Sequence, residues 1–220
     1  MSDASDVFRE VDEEVRREQL KKLWERYGHY AVVLAVLVVA CVGAWRGYSW
    51  WEAKKAAESG AAFETAMSLS EAGKHAEAEA AFAKIALDGY SGYAPLARVR
   101  AASELAQTDP KAAVAAYEKI SNDQSANPTL RDLAAMRAGG LLIDAANYSE
   151  AQRVLEPLTA SDRTFRHTAR ELLAVAAWRQ GDGPGTKRWV DMLATDPLTP
   201  TATRTRAEML LALVAADSKS

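Results

Sequence analysis

Five basic side chains have the type and spacing to bind a ligand. They are Arg98, Arg163, Arg166, His167 and Arg170. The last four lie at i, i+3, i+4 and i+7, so they share one helix face, and Arg98 has a comparable place in an earlier helix. Guanidinium groups hold carboxylates by charge-assisted hydrogen bonds, so this face predicts a site for the C-terminal carboxylate or acidic side chains of a peptide. The alternative is a solvated charged face whose bases pair with Asp162 and Glu171.

Catalytic chemistry has no comparable set of residues in this sequence. The histidines His29, His75 and His167 and the single Cys41 show no ligand spacing, so neither a zinc site nor a Cys-His dyad is predicted. A phosphate-binding glycine loop and a Gly-x-Ser-x-Gly motif are also missing. The formal net charge of −3 argues against a nucleic-acid partner. We expect a protein that is not an enzyme, without cofactor, metal or small-molecule substrate.

The segment from Ala53 onward is rich in alanine and interrupted by Gly, Asn, Asp and Pro, which predicts helices joined by turns. Short breaks within helix hairpins are predicted at 72–74, 108–110, 146–148 and 181–184. Longer breaks between hairpins are predicted at 88–92, 122–128, 159–163 and 196–200. Asp109, Asn127 and Thr199 each precede a proline, so each is predicted to cap a helix that begins with that proline.

The second helices of these hairpins repeat a small, a large and an apolar residue at spacings of four and three. The sets are Ala78, Phe82, Ile85; Ala113, Tyr117, Ile120; Ala151, Leu155, Leu158; and Gly185, Trp189, Met192. The large residue recurs at intervals of 35, 38 and 34 residues, which bracket the 34-residue helix-turn-helix unit of tetratricopeptide repeats. The alternative is a generic helical bundle in which the alanines coincide.

The first helices fit this repeat more loosely, because the Trp-x-x-Leu-Gly start of the unit is missing from all four. Their matching pairs are Ala66 with Leu69, Ala101 with Leu105, Gly139 with Leu142, and Leu173 with Ala176. Two glycines inside a helix, Gly139 and Gly140, cost about 1 kcal/mol each relative to alanine. We expect them to allow close approach of a neighbouring helix. A final helix, Thr201 to Ala216, is predicted to cap the stack.

The stretch from Tyr30 to Trp45 is too apolar to face water. From Tyr27 to Trp45 there are 19 consecutive residues without Asp, Glu, Lys or Arg. As a helix these residues would reach about 28 Å, close to the hydrocarbon thickness of a bilayer. Tyrosines and tryptophans flank both ends, as is typical of membrane interfaces. Residues 29–51 are therefore predicted to be a transmembrane helix with aromatic flanks.

Three alternatives to a membrane anchor concern the same stretch. It could be a buried helix of a soluble protein, or a cleaved signal peptide, although a polar segment of 26 residues precedes it. Third, Val38-Val39-Ala40-Cys41 has the form of a lipobox, so the protein could be a repeat-containing lipoprotein or cell-envelope assembly factor acylated at Cys41. Apolar Val42 follows instead of a polar tether, which favours a plain cysteine inside a membrane helix.

Residues 1–28 are predicted to form an amphipathic helix, with apolar residues at spacings near three and four and acidic residues ahead of basic ones. This helix would either bind a partner as a cytoplasmic tail or lie with its apolar stripe on the bilayer. Five Lys and Arg residues lie in 12–26 and three in 46–60. Because basic residues favour the cytoplasmic side, this bias predicts a cytoplasmic N-terminus.

These features together resemble a bacterial family. They are the sequence from Phe8 to Glu18, the anchor, the sequence from Gly47 to Lys55, and the degenerate repeats. The chain resembles the ancillary SecYEG translocon subunits, the YfgM-like proteins with a tetratricopeptide-like domain. The resemblance covers nearly the whole chain. It implies a single-pass inner-membrane protein with a periplasmic C-terminal domain, whose partners are the SecYEG translocon, a periplasmic prolyl isomerase or other chaperones, and secretory chains. It implies no catalytic residues.

The predicted fold is all-α. Residues 1–28 form the cytoplasmic amphipathic helix and residues 29–51 the transmembrane helix. Residues 52–220 form a tetratricopeptide-like α-solenoid of about four helix hairpins plus a C-terminal capping helix.

Overall fold

The chain is all-helical in its computed structural model, which describes the backbone of residues 3–88 and 92–217 and their side chains except 3–16, 18–20, 23 and 217. These residues contain nine α-helices and a 3-10 turn, Glu156–Thr159, and no strand. The helices are α1 Asp3–Glu71, α2 His75–Leu87, α3 Ala94–Thr108, α4 Pro110–Ser121, α5 Pro128–Asp144, α6 Tyr148–Leu155, α7 Arg166–Arg179, α8 Gly183–Thr195 and α9 Thr201–Asp217. The all-α prediction is confirmed.

The chain divides into two compact units, Met1–Lys55 and Ala56–Ser220. In the first unit every Val and Leu from Val32 to Val42 is more than half exposed. Among the described helices, α1 alone is long and apolar enough to cross a membrane by length and composition. Most side chains of the amphipathic face predicted for residues 1–28 lie outside the described residues.

The second unit is a stack of helix hairpins. The end of α1 pairs with α2, and α3 with α4, α5 with α6, and α7 with α8 follow, while α9 packs on α7 and α8. Each helix from α2 onward packs against the next, and the first helices α3, α5 and α7 also contact one another in order. The predicted four hairpins and the capping helix are confirmed.

The core of the first three hairpins follows the predicted small, large and apolar pattern. All nine predicted residues of α2, α4, α6 and the 3-10 turn are buried. In α8 the residues buried at the same spacing are Thr186, Val190 and Leu193, one position later than predicted, and Trp189 is buried as well. The prediction for α8 was one residue out because it took Gly185 as the small packing residue.

Gly185 instead belongs to the helix cap. Its N–H donates to Asp182 Oδ1 at 2.9 Å, and a Cβ on it would lie 2.0 Å from Asp182 Oδ2. The predicted caps Asp109 and Asn127 are confirmed, since each side chain accepts a hydrogen bond from the first turn of its helix. The predicted cap at Thr199 is wrong, because its buried hydroxyl makes no hydrogen bond within the described part of the chain.

The two helix glycines have different environments. A Cβ on Gly139 would lie 2.4 Å from Leu155 Cγ, so α5 and α6 approach this closely only because that Cβ is missing. The predicted close approach is confirmed at Gly139. At Gly140 a Cβ would meet nothing within 4 Å, so this position faces open space.

Candidate peptide-binding surface

The basic residues of α7 converge on one carboxylate. Asp196, directly after α8, receives a hydrogen bond from Arg166 Nε at 2.9 Å and from Arg170 Nη1 at 3.0 Å, both on Oδ2. His167 Nε2 lies 3.0 Å from the same oxygen. All four side chains are at most 15% exposed. The cluster therefore joins the start of α7 to the end of α8 and presents little of its charge to solvent.

Arg170 is the most buried member of this cluster. Its Nη2 and Nε donate to the carbonyl of Thr159 at 2.8 and 3.1 Å, and Nη1 also reaches the carbonyl of Met192 at 3.3 Å. Buried charged groups require such partners, because an unpaired guanidinium away from water is costly. Arg170 thus holds the end of the third hairpin, through Thr159, and the end of the fourth.

The Asp196 carboxyl is stabilised in its charged form. The hydrogen bond from Arg166 holds its pKa well below the ordinary value, and the N–H of Leu198, His167 and Arg170 act in the same direction against partial burial. Each of these donors favours the carboxylate over the neutral acid. Asp196 is therefore a fixed negative charge among three basic groups.

Arg98 and Arg163 form comparable contacts in the hairpins before it. Arg98 Nη1 donates to Asp123, just past α4, at 2.7 Å. In the third hairpin the polarity is reversed, because Asp132 lies on the first helix and accepts from Arg163 Nη1, beyond the second helix, at 3.1 Å. We call these contacts and the Asp196 cluster the closing pairs, since each joins the first helix of a hairpin to the residues after its second helix.

All five predicted bases are thus engaged in closing pairs. Their partners differ from the acids proposed in the alternative interpretation, where Glu171 was one of them. Glu171 instead pairs with Arg206 of α9. A ligand carboxylate would reach the five bases only by exchange with a carboxylate that already binds them.

A second polar surface lies on the first helices. A hollow of about 350 Å³ opens where α3, α5 and α7 lie side by side. We call it the first-helix hollow, and its lining residues are Ser103, Ala106, Gln107, Tyr117, Met136, Arg137, Gly140, Leu141, Asp144, Thr168 and Leu172. Its wall combines apolar side chains with hydroxyl, amide and charged groups, the mixture that ligand sites usually show.

Two arginines at this hollow were missed by the sequence reasoning. Arg137 lines it, and Arg100 lies three residues before Ser103 on the same face of α3. Both are exposed, and both act electrostatically on the hydroxyl of Tyr117. Neither forms an ion pair within residues 3–88 and 92–217. Arg100 lies one position before Ala101, and Arg137 lies two positions before Gly139, the small residues of their first helices. This spacing does not indicate whether an arginine is free or paired.

Comparison with known proteins gives one match. A model of the tetratricopeptide repeat-like domain family matches residues 21–185. The match covers three quarters of the chain and runs from the segment before Tyr30 to the first turn of α8. No curated protein and no solved structure matches significantly.

Proposed function

The chain belongs to the tetratricopeptide repeat-like domain family, and we propose that it is a membrane-anchored adaptor, without enzymatic activity, whose repeats bind other proteins. The observation that carries this proposal is the first-helix hollow, where three consecutive first helices present an open, polar and apolar surface with unpaired cations. Repeat domains of this kind are built as stacks whose extended surface is formed before a partner arrives. A preformed surface loses little conformational entropy on binding.

The membrane part of the proposal rests on α1. Exposed Val and Leu side chains from Val32 to Val42 would remain in contact with water in a soluble monomer, and burial in lipid removes that unfavourable contact. Aromatic rings at Tyr30 and Trp45 would lie at the two interfaces. The bias of Lys and Arg supports a cytoplasmic N-terminus and an inner-membrane protein with residues 52–220 in the periplasm.

The partners follow from the resemblance of the chain to ancillary SecYEG translocon subunits. On this proposal the repeat domain works beside the translocon and receives secretory chains together with a periplasmic prolyl isomerase or other chaperones. The hollow supports binding of protein segments as a class, and the resemblance supplies which proteins they are.

The five predicted bases stay candidates for peptide binding. Arg163, with 38% of its side chain exposed, is the most accessible of them. Arg163→Glu tests the role: weaker partner capture with unchanged helicity would support it, and unchanged capture would remove it.

In-cell photo-crosslinking tests the proposed function. A benzoylphenylalanine placed at Thr168, which is exposed in the hollow, should trap translocon subunits, periplasmic folding factors or secretory chains. The same group at Lys187, exposed on α8, is the control and should trap fewer. Recovery of cytosolic proteins only would overturn both the orientation and the function.

The mass of the mature protein tests the alternative of a lipoprotein. Acylation at Cys41 is accompanied by cleavage before this residue, which would remove residues 1–40.

A further inference from the structure

We propose that a cavity between the second and third hairpins binds one phosphate-sized oxyanion on Arg131. The cavity has a volume of about 240 Å³ and is formed by the end of α4, the start of α5, α6 and the 3-10 turn. We call it the inter-hairpin cavity. It shares no lining residue with the first-helix hollow, so this inference goes beyond the proposed binding of protein partners and is independent of it.

Arg131 lines this cavity with hydrogen-bond donors that the protein itself does not use. Its Nη1 donates to Gln124 Oε1 at 2.6 Å. Its Nε is buried and has no hydrogen-bond partner in the described part of the chain. A buried N–H without an acceptor is costly, and such groups in proteins call for a bound water or ion. Nε–H and Nη2–H point in parallel directions, so this edge of the guanidinium matches two oxygens of one oxyanion.

The ion pairs of the cavity leave Arg131 as the base without an acid. The other two arginines of the lining hold carboxylates, since Arg163 binds Asp132 at 3.1 Å and Arg153 binds Glu118 at 2.8 Å. Arg131 forms no ion pair within residues 3–88 and 92–217. Because a guanidinium stays protonated, the positive charge of Arg131 lacks a negative counterpart in the cavity.

The carboxylates near the cavity limit the charge of the ligand. Glu118 and Asp132 are part of the lining, and Glu150, outside it, also binds Arg153. These acids would repel a polyanion, whereas a single small oxyanion beside Arg131 meets the opposite charge first. We therefore expect one oxyanion, bound with a dissociation constant of about 1 mM.

Neutral polar side chains can complete the site. Ser121 and Asn122, at the end of α4, line the cavity and can donate to the oxygens that Arg131 leaves free. The volume is far larger than one water requires, so it admits a tetrahedral oxyanion. An anion bound here would connect α4 of the second hairpin with α5 of the third. Since a ligand that binds only the folded state stabilises it, phosphate should raise the unfolding temperature.

The experiment measures the binding of inorganic phosphate to the full-length protein in detergent micelles by calorimetric titration. Thermal unfolding followed by circular dichroism is the second readout, with sodium chloride of equal ionic strength as the reference. At about 20 mM phosphate the unfolding midpoint of the wild type should rise by about 3 °C or more over this reference.

Two substitutions of Arg131 test the site, and a third elsewhere on α5 is their control. Arg131→Met should weaken phosphate binding about tenfold or more, because the charge-assisted hydrogen bonds are lost. Arg131→Lys keeps the charge but not the two parallel donors, so it should weaken binding about fivefold. Arg137→Met is the matched control, because Arg137 is exposed on the same helix and lies outside the cavity lining. It should leave phosphate binding unchanged within about twofold.

Glycerol 3-phosphate identifies the source of the oxyanion. Binding as tight as that of inorganic phosphate assigns the site to phosphate monoesters, and binding of inorganic phosphate alone assigns it to the free ion. Equal losses in Arg131→Met and Arg137→Met, or no heat of binding and no shift of the midpoint relative to chloride, would overturn the inference. If Arg131→Met does not fold, Arg131→Lys decides, and unchanged phosphate binding in that variant would overturn the inference as well.

Discussion

The third and fourth hairpins have the same topology but are held together by different interactions. In the third hairpin, α5 and α6 approach through Gly139, whose missing Cβ leaves room for Leu155. Its closing pair, Asp132 with Arg163, is partly exposed on the arginine side. Shape complementarity between the two helices therefore dominates this hairpin, since a partly exposed ion pair contributes little.

The fourth hairpin has an alanine where the third has Gly139, and its closing pair is more buried. Ala174 and Val190, sixteen residues apart like Gly139 and Leu155, are its buried counterparts. Its ends are joined by Asp196 and the buried Arg170, which also binds two backbone carbonyls. Hairpins of the same topology can thus differ both in the size of the residue at the helix contact and in how deeply the charges that join their ends are buried.

The largest effect is expected from filling the helix contact of the third hairpin. Gly139→Leu places a side chain where a Cβ alone would lie 2.4 Å from Leu155 Cγ. Because α5 and α6 must move apart, the free energy of unfolding should fall by about 3 kcal/mol. Chemical denaturation followed by circular dichroism measures the loss, and Gly140→Leu is the control that should show none. Equal behaviour of the two variants would contradict the packing account of this hairpin.

Removing the buried cation of the fourth hairpin should have the next largest effect. Arg170→Met keeps an unbranched side chain but removes one of the donors to Asp196 and both Arg170 donors to the Thr159 carbonyl. We expect a loss of about 2 kcal/mol in the free energy of unfolding, because hydrogen bonds to charged groups are broken at a buried site.

The matched change in the third hairpin is Arg163→Met. It should cost less than about 1 kcal/mol, because that pair is partly exposed and screened by solvent. Denaturation midpoints of the two variants give the comparison directly. A loss at Arg163 as large as that at Arg170 would mean that burial does not set the strength of the closing pairs.

Acid should reveal the closing pairs through their carboxylates. The pKa of Asp196 is depressed from its ordinary value of 3.8, first by Arg166, so Asp196 stabilises the folded state above that pH. This contribution is lost as the pH falls through the folded pKa. The unfolding midpoint should therefore drop steadily below pH 4, and Asp196→Asn should be less stable at neutral pH with a flatter acid dependence.

Asp123 is the reference for this titration. Ser125 and Arg98 lower its pKa to about 2, so the stability that Asp123 contributes is lost between pH 3.8 and about 2. Asp123→Asn should flatten the acid dependence in that interval only. An acid dependence of Asp196→Asn that equals that of the wild type would show that the cluster is not linked to folding.

Local patterns explain which parts of this fold the sequence predicts. Burial at i, i+4 and i+7 is a property of one helix, so the core of α2, α4 and α6 could be predicted from spacing alone. The register of α8 could not, because a glycine such as Gly185 satisfies the demand for a small residue equally well in a core and in a cap. Only the position of Asp182 relative to the helix decides between them.

The candidate surface depends on contacts that are distant in sequence. The spacing from Arg163 to Arg170 identifies a basic face, but whether it is free depends on Asp132 and Asp196, which lie outside that stretch. Arg98 and Arg100 are two residues apart, and one is paired while the other is not. Side chains two residues apart on a helix point in different directions, and the position of the acids in the folded hairpin decides which of the two arginines is paired. The composition of the sequence gives no information about this.

The smallest effect is expected at the turns of the same two hairpins. Ala146, in the turn of the third, has φ of 55°, whereas the fourth has Gly181 at φ of 72°. An alanine in this left-handed region is strained by about 1–2 kcal/mol, and glycine removes that strain at an entropic cost of about 0.5–1 kcal/mol. Ala146→Gly should therefore stabilise the protein by roughly 0.5 kcal/mol, and Gly181→Ala should destabilise it by a similar or larger amount. If thermal denaturation shows Ala146→Gly to be destabilising, the turn of the third hairpin tolerates alanine without strain, and the two hairpins differ in their turns as well as in their helix contacts.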